Sequence, residues 1–438
     1  MLLPAMAGYT FLSRERALSR PERLVFSYTI GTGLLSFYLF LLLLLGIRIS
    51  LLSSAPFFVP FLAYGIYRVK DVSGSLRFSL RSPLAGLSLV QQTVFLCCFL
   101  LIAWKLLFLL FMIVSGPTIF WDAYTLWNYK AKVIYQGSRA ELFGGPYAHY
   151  PLHLSLMRAW IATFLGGWNE AFVNLHSLLL FLCLLVLEYE FLKREAGKMT
   201  AMIMTFVLSA IPVLIYNVLS GYADMAVGYY FLTAAIMLFY WQRTGKNSFL
   251  VYSGILSSIA MFTKNEGIAI VFPVLLLTFF GHLLFAGRSW KSTVAPAALF
   301  LISSVAILLW LGSSGALSAI VTISGIKEAP FTFHPEGLAP LVTHLLIFRS
   351  FNLFWFGVIL LFALNWKRAF RAETRFFLIP SILSFCAILF VFLFTPNVQW
   401  LINGTTINRT MLIVIPLLNL TTGLLLVPEA KSDVSAAG

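Results

Sequence analysis

Long apolar runs separated by short polar breaks dominate this chain. A helix needs about 20 mainly apolar residues to cross the hydrocarbon of a bilayer. The runs that meet or approach that length are 24–46, 49–67, 92–114, 170–192, 200–218, 223–241, 249–263, 267–286, 292–312, 346–365, 376–395 and 410–427. The run 249–263 is short, so it is expected to tilt or to reach only part-way across. This pattern predicts an all-α, polytopic transmembrane bundle of about 12 helices. It reads as one domain over 1–438, with no tandem repeat, no low-complexity segment and no soluble domain at either end.

The breaks between the runs differ in kind. Most are short and simple. Two are long, 115–169 and 313–345, and shorter polar turns fall around 219–224, 263–267 and 396–409. The first long break carries Trp121, Tyr124, Trp127, Tyr129, Tyr135, Phe143, Tyr147, Tyr150 and Trp160. That aromatic density suits helices lying along a membrane interface. Segment 152–166 is apolar but bracketed by Pro151 and Gly166-Gly167, and reads as a re-entrant or interfacial helix. A full crossing there would invert every later loop.

Composition agrees with the pattern. Hydrophobic residues make up 60% of the chain and charged residues 11%, against roughly 25% charged in a soluble domain. Mean hydropathy is +0.91. The net charge of +14 gains its meaning from position. With the N-terminus inside, the inside segments hold 20 Lys and Arg and the longer outside segments hold nine. The positive-inside rule therefore favours cytoplasmic N- and C-termini. Nucleic-acid binding is excluded, because it needs an exposed basic face and a motif, and neither is present. Arg14, Arg16, Arg20 and Arg23 precede the first run without a small-residue cleavage site, so no cleaved signal peptide is expected. Cys97, Cys98, Cys183 and Cys386 sit in apolar runs without a CxxC pair, and read as packing residues.

Candidate chemistry gathers on the outside. Asp122 follows the third run in Trp121-Asp122-Ala123-Tyr124. It either opens a helix as an N-cap or serves as a partly desolvated general base. Asp224, in Gly221-Tyr222-Ala223-Asp224, has the same two readings at the mouth of an apolar helix. Lys264 and Glu266 form a polar island that either pairs locally or meets an anionic group. Arg409 opens the last run, and is either a snorkelling interfacial residue or a fork for phosphate. His149 and His153 are four apart, but Pro151 opposes the continuous helix that a shared metal would need. His149 and Tyr150 are candidates to hydrogen-bond a substrate. Lys105 lies mid-run without an evident partner, and His334, Glu336 and His344 have no assigned role. Asn403-Gly404-Thr405 matches a glycosylation sequon. No strong metal-ligand cluster exists, and a divalent cation is the one cofactor the acids leave open. No Walker A loop is present, which argues against an ATP-driven pump.

Three places together resemble the polytopic glycosyltransferases that use lipid-phosphate-linked sugars, the GT-C fold, which includes protein mannosyltransferases and aminoarabinose transferases. They are Trp121-Asp122-Ala123-Tyr124 with His149-Tyr150-Pro151-Leu152; Gly221-Tyr222-Ala223-Asp224 with Thr263-Lys264-Asn265-Glu266-Gly267; and Thr395-Pro396, Trp400-Leu401-Ile402-Asn403, Asn408-Arg409 and Pro416. The resemblance spans ~115–416, most of the chain. It implies that Asp122 is the catalytic carboxylate and Asp224 an assisting acid. It also implies that Lys264 and Arg409 hold the donor phosphate, with Glu266, His149, Tyr150 and Asn403 contributing to substrate binding. The donor would be a polyprenyl-phosphate sugar and the acceptor an envelope glycan, a lipid or a protein. The setting would be a bacterial inner membrane, in a branch that modifies lipopolysaccharide or other envelope glycans. Transfer would be inverting. Many relatives carry an extracytoplasmic domain, which is not expected here. The alternatives are a flippase of a lipid-linked glycan and a glycan polymerase or ligase. The large loop comes early, which argues against the last.

Overall fold

The computed structural model describes residues 2–13, 15–73, 84–116, 120–138, 142–143, 148–285, 290–302, 304, 307, 331–404 and 406–427. Every regular element among them is helical. In chain order the main helices are α1 (Leu2–Leu12), α2 (Arg20–Leu44), α3 (Leu51–Ser73), α4 (Leu89–Ser115), α5 (Asn128–Gln136), α6 (His153–Leu165) and α7 (Glu170–Glu195). They continue with α8 (Lys198–Ser209), α9 (Pro212–Ser220), α10 (Asp224–Thr244), α11 (Asn247–Thr263), α12 (Phe272–Phe285), α13 (Trp290–Ile302), α14 (Phe354–Leu364), α15 (Ala372–Phe394) and α16 (Ile415–Leu425).

Six helical stretches are long and apolar enough to cross a membrane: Arg20–Leu44, Leu89–Ser115, Glu170–Glu195, Asp224–Thr244, Gly267–Leu284 and Ala372–Phe394. Two bent pairs, α8 with α9 at 62° and Ile407–Ile413 with α16 at 58°, raise the number to eight. These eight fall on eight of the apolar runs. Runs 49–67, 249–263 and 346–365 contain shorter apolar helices, Leu51–Tyr64, Asn247–Thr263 and Phe354–Leu364. Run 292–312 coincides with α13 at its start, and most of the rest lies outside the described residues. So do 313–330 of the second long outside segment, Tyr147 of the first and the tail 428–438.

Local sequence explains the breaks. Ser19 and Glu22 form a reciprocal capping box at the start of α2. Pro212 opens α9 without an N–H to lose, and so separates it from α8. Gly221, at φ +68, ends α9 in the left-handed conformation that glycine adopts without strain. The freed backbone at the α8–α9 break is satisfied from elsewhere. Asn352 Nδ2 donates to the Ala210 carbonyl at 2.7 Å, and the Val213 amide donates to the Ser350 carbonyl at 3.0 Å.

The helices differ sharply in surroundings. The apolar window of α10 is 100% buried, whereas that of α4 is 11% buried. Helix α10 is the axis of the core, and α4 presents its apolar surface outward. Lys105 on α4 finds an aromatic partner, its Nζ lying 4.6 Å from the Phe206 ring centroid. Helix α6 is the segment read as re-entrant or interfacial. Residues 153–162 are all buried, while Phe164 and Leu165 in its last turn are exposed. It packs against α2, α5, α7 and α11, and Gly166 ends it.

Helix α10 runs for 21 residues, about 30 Å at ~1.5 Å per residue. Asp224 and Arg243 therefore mark opposite ends of the bundle. Near Arg243, Tyr240 donates to Glu22 Oε1 at 2.6 Å, and Arg194 pairs with Glu22 Oε2 at 3.2 Å. Glu195 Oε1 accepts from Arg194 Nε at 3.0 Å and Arg243 Nη1 at 2.7 Å.

Candidate functional site

The opposite end of α10 collects most of the residues singled out in the sequence. Asp224 opens α10 and is 2% exposed. Its Oδ1 accepts from Lys264 Nζ at 2.7 Å. The same ammonium donates to Glu266 Oε1 at 2.6 Å. Lys264 sits in extended backbone between α11 and the turn Gly267–Val271, so its side chain leaves the helix axis and reaches α10. Burial alone would pull the Lys264 ammonium down; Asp224, then Glu266, more than offset this and hold it above its usual range.

Asp122 is not a helix cap. Its side chain makes no capping hydrogen bond and instead accepts from Arg409 Nη1. Its amide donates to the Tyr222 hydroxyl at 3.3 Å. Arg409 in turn lies over the Tyr222 ring, 5.3 Å from the centroid, and its charge acts on Asp224 as well as Asp122. Two ion pairs distant in sequence thus form one constellation. Tyr150 joins it: burial raises its phenol, and the charges of Lys264, Glu266, Asp122 and Arg409 all act on it.

Three single-turn π segments border this region: Ala123–Trp127 directly after Asp122, Gly267–Val271 directly after Glu266, and Thr343–Ile347. Such segments are frequent at functional sites, because the extra residue per turn re-aims neighbouring side chains. Gly228 lets the arginine-bearing segment approach α10. A Cβ there would collide with the Leu412 carbonyl.

Behind the constellation stands a buried polar brace. Arg158 on α6 is fully buried. Its guanidinium donates to Asn128 Oδ1 at 2.7 Å and to the Gly221 carbonyl at 2.5 Å. One side chain therefore joins the segment following Asp122 to the turn preceding Asp224. Lys130 is equally enclosed and donates to the Tyr150 carbonyl at 2.7 Å, and burial lowers its ammonium to about 7. His153 uses both ring nitrogens, toward Ser36 Oγ at 2.8 Å and Tyr230 Oη at 2.7 Å. Neither nitrogen is left for a metal shared with His149. The His149 ring lies beside that of Tyr150, centroids 4.5 Å apart and planes tilted by 39°. Its imidazole is lowered first by burial, then by Lys130.

Three adjoining cavities open here. A polar cavity of about 760 Å³ is lined by Asp122, Arg409, Arg349, Trp121, Tyr216 and Tyr222 among others. An apolar groove of about 820 Å³ runs between α8 and α14, with Phe206, Ile211, Leu346, Phe356 and Val358 in its walls. Phe348 and Arg349 line both. The α8–α9 break lies at this junction: Ala210 and Ile211 face the groove, Pro212 and Val213 the polar cavity. A third pocket, about 660 Å³, contains Asn403 and His344 and shares Phe348, Gly404 and Asn408 with the polar cavity.

Asp122, Asp224, Lys264, Glu266, Tyr150 and Arg409 thus come together. Asn403 does not join them, and lines the adjoining third pocket. Asp224 and Lys264 are both enclosed, at 2% and 7% exposed. Thr405 of the sequon lies outside the described residues. His334 pairs with Glu336 at 2.9 Å. Sequence reasoning missed Arg349, which it counted only as an outside charge, and did not anticipate Asn408 as a shared wall. The signal for Arg349 was its place beside an aromatic, Phe348, near the start of the apolar run 346–365. A divalent cation does not fit well, because each acid already faces Lys264 or Arg409. Among the described residues no group of three His, Cys, Asp or Glu comes together as a metal site. Comparison with protein-family models, curated proteins and solved structures finds no match for this chain.

Proposed function

We propose that this chain is a membrane glycosyltransferase of GT-C type, with about 12 spans. It transfers a sugar from a polyprenyl-phosphate donor to a glycan, lipid or protein of the bacterial envelope. The observation that carries this reading is the junction at Arg349. An apolar groove and a cavity holding a carboxylate meet there, beside an exposed guanidinium without an ion-pair partner among the described residues. A lipid phosphate has the matching form: apolar tail in the groove, phosphate on Arg349 and Arg409, sugar toward Asp122. Planar guanidinium forks suit phosphate oxygens.

In this reaction Asp122 takes the acceptor's hydroxyl proton. The acceptor oxygen bonds to the anomeric carbon from the face opposite the leaving group. The bond from that carbon to the phosphate oxygen breaks, polyprenyl phosphate departs and configuration inverts. Arg409 has two tasks in sequence. It holds Asp122 before the donor binds, and the incoming phosphate then competes for the guanidinium and frees the carboxylate. Arg349 and Arg409 stabilise the charge that develops on the phosphate. Asp224 is buried behind Lys264 and acts as a positioning residue: it holds the lysine and biases Arg409. The reaction takes place on the extracytoplasmic side of the inner membrane, with both termini cytoplasmic, which rests on the charge bias of the loops.

The test is incubation of membranes containing the protein with polyprenyl phosphate carrying a labelled sugar. The expected result is label on a second molecule, with a new glycosidic linkage. If the label changes leaflet with its linkage to phosphate intact, the protein is a flippase and the enzymatic reading is wrong.

A further inference from the structure

The third pocket is unlike the other two. Ala339, Pro340, Thr343, His344, Phe348, Ile402, Asn403, Gly404 and Asn408 form it, and none of these carries a fixed charge. Its polar groups are neutral ones: the Asn403 and Asn408 amides, which both donate and accept, the Thr343 hydroxyl and the His344 imidazole. His344 is 7% exposed, and its Nδ1 is buried with no hydrogen-bond partner among the described residues. Asn408 Oδ1 is likewise buried without a partner. The Thr343 hydroxyl gives its proton to the Ala339 carbonyl at 2.9 Å and keeps its lone pairs. The rings of His344 and Phe348 pack 5.0 Å apart, an apolar patch in a polar pocket.

A phosphate or carboxylate brings only acceptors, and meets no cation here. A neutral ligand that both donates and accepts hydrogen bonds, and presents an apolar ring face, meets complementary groups. That is the chemistry of a neutral sugar ring, with hydroxyl donors at its edge and C–H groups on its face. Asn408 matters most, because it belongs both to this pocket and to the cavity of Asp122. A ring seated against His344 has a route past Asn408 for one hydroxyl to reach the carboxylate.

We propose that this pocket is the acceptor subsite, and that the acceptor is a neutral saccharide. This deepens the reading of the protein as a glycosyltransferase and rests on it. It assigns Asn403 and Asn408 to the acceptor, where the sequence reading left Asn403 as a general substrate contact.

The experiment is saturation-transfer NMR on the full chain in lipid nanodiscs. The probes are methyl pyranosides of neutral hexoses and N-acetylhexosamines, methyl glucuronide and glucose 1-phosphate. Saturation transfer to at least one neutral pyranoside is expected, at least tenfold weaker in Asn408→Leu and retained in Asn408→Asp, which keeps the acceptor oxygen. Retention in the second variant separates recognition from misfolding. The proposal is overturned if no neutral pyranoside binds, if the anionic probes bind better, or if Asn408→Leu binds as the wild type does. Displacement of the pyranoside by undecaprenyl phosphoglucose would give the pocket to the donor and overturn the acceptor assignment. Undecaprenyl phosphate, titrated separately, tests the underlying reading. Its binding should weaken in Arg349→Ala while pyranoside binding persists. If undecaprenyl phosphate fails to bind but the pyranoside does, the lipid-donor reading falls and the saccharide pocket stands.

Discussion

The two ends of α10 carry similar charged groups in different states of completion. At the Arg243 end, Glu22 is fully buried, and its two oxygens meet Tyr240 and Arg194. Glu195 meets both Arg194 and Arg243. No large cavity adjoins these groups among those described. At the Asp224 end the ion pairs face cavities. Asp122 is 31% exposed at its side chain, and polar atoms of Asn265, Glu266, Asn408 and Arg409 are buried without partners. Buried polar atoms without partners occur at both ends, Arg23 Nε and Gln242 Oε1 lying toward Arg243, so the contrast rests on the cavities. One end is a closed clamp; at the other, the Asp122–Arg409 ion pair lines a cavity.

That contrast is breakable. The largest expected effect is on chemistry at the open end. Asp122→Asn should lower sugar transfer by about 10²–10⁴-fold, the usual range for a positioned base, with normal yield and thermal unfolding. Wild-type transfer rates from this variant would remove Asp122 from the mechanism. Stability should respond next. Lys264→Met leaves Asp224 buried without its cation, and Glu22→Ala leaves the Arg194–Tyr240 pair without its acceptor. Leaving a buried charge such as Asp224 unpaired costs about 3–5 kcal/mol; Arg194, one-third exposed and still paired with Glu195, costs less when Glu22 is removed. Both variants should therefore melt earlier in detergent, but only Lys264→Met should also lower transfer per folded molecule. Equal activity loss in the two would erase the distinction between the ends.

Lys130 sharpens the comparison through pH. Its folded ammonium is lowered from 10.5 to about 7 by burial, so between these values the unfolded chain binds the extra proton. Stability must then rise with pH across that window. Thermal unfolding temperature should increase from pH 7 toward pH 10, and Lys130→Met should flatten the slope. An unchanged slope would mean that Lys130 is charged in the folded protein. The smallest effect belongs to the exposed edge of the clamp. Arg243, whose side chain is 54% exposed, pairs with Glu195; Arg243→Ala should cost under about 1 kcal/mol and leave transfer intact.

Some of this was legible in the chain. Asp122, Asp224, Lys264, Glu266 and Arg409 stood out because a charge beside a long apolar run is costly and therefore conspicuous. Arg158 and Lys130 did not stand out. They lie in the segment read as interfacial or re-entrant helices, and packing encloses them. Arg349 resembled any charged residue at a helix end until the α8–α9 break brought a groove to its side. Asp122 read more readily as a cap than as a partner of a residue 287 positions away.

What the sequence by itself determined is the class of structure: helical, because apolar runs of this length satisfy their backbone in lipid only as helices. It also determined the candidate charges, because unpaired ions do not rest in apolar surroundings. What only the tertiary structure decided is pairing. Which acid meets which cation depends on how close Gly228 lets the segment of Arg409 come, and on a proline break that bends one span beside a cavity. Those are contacts between residues far apart in the chain, and no local pattern encodes a distance that packing alone sets.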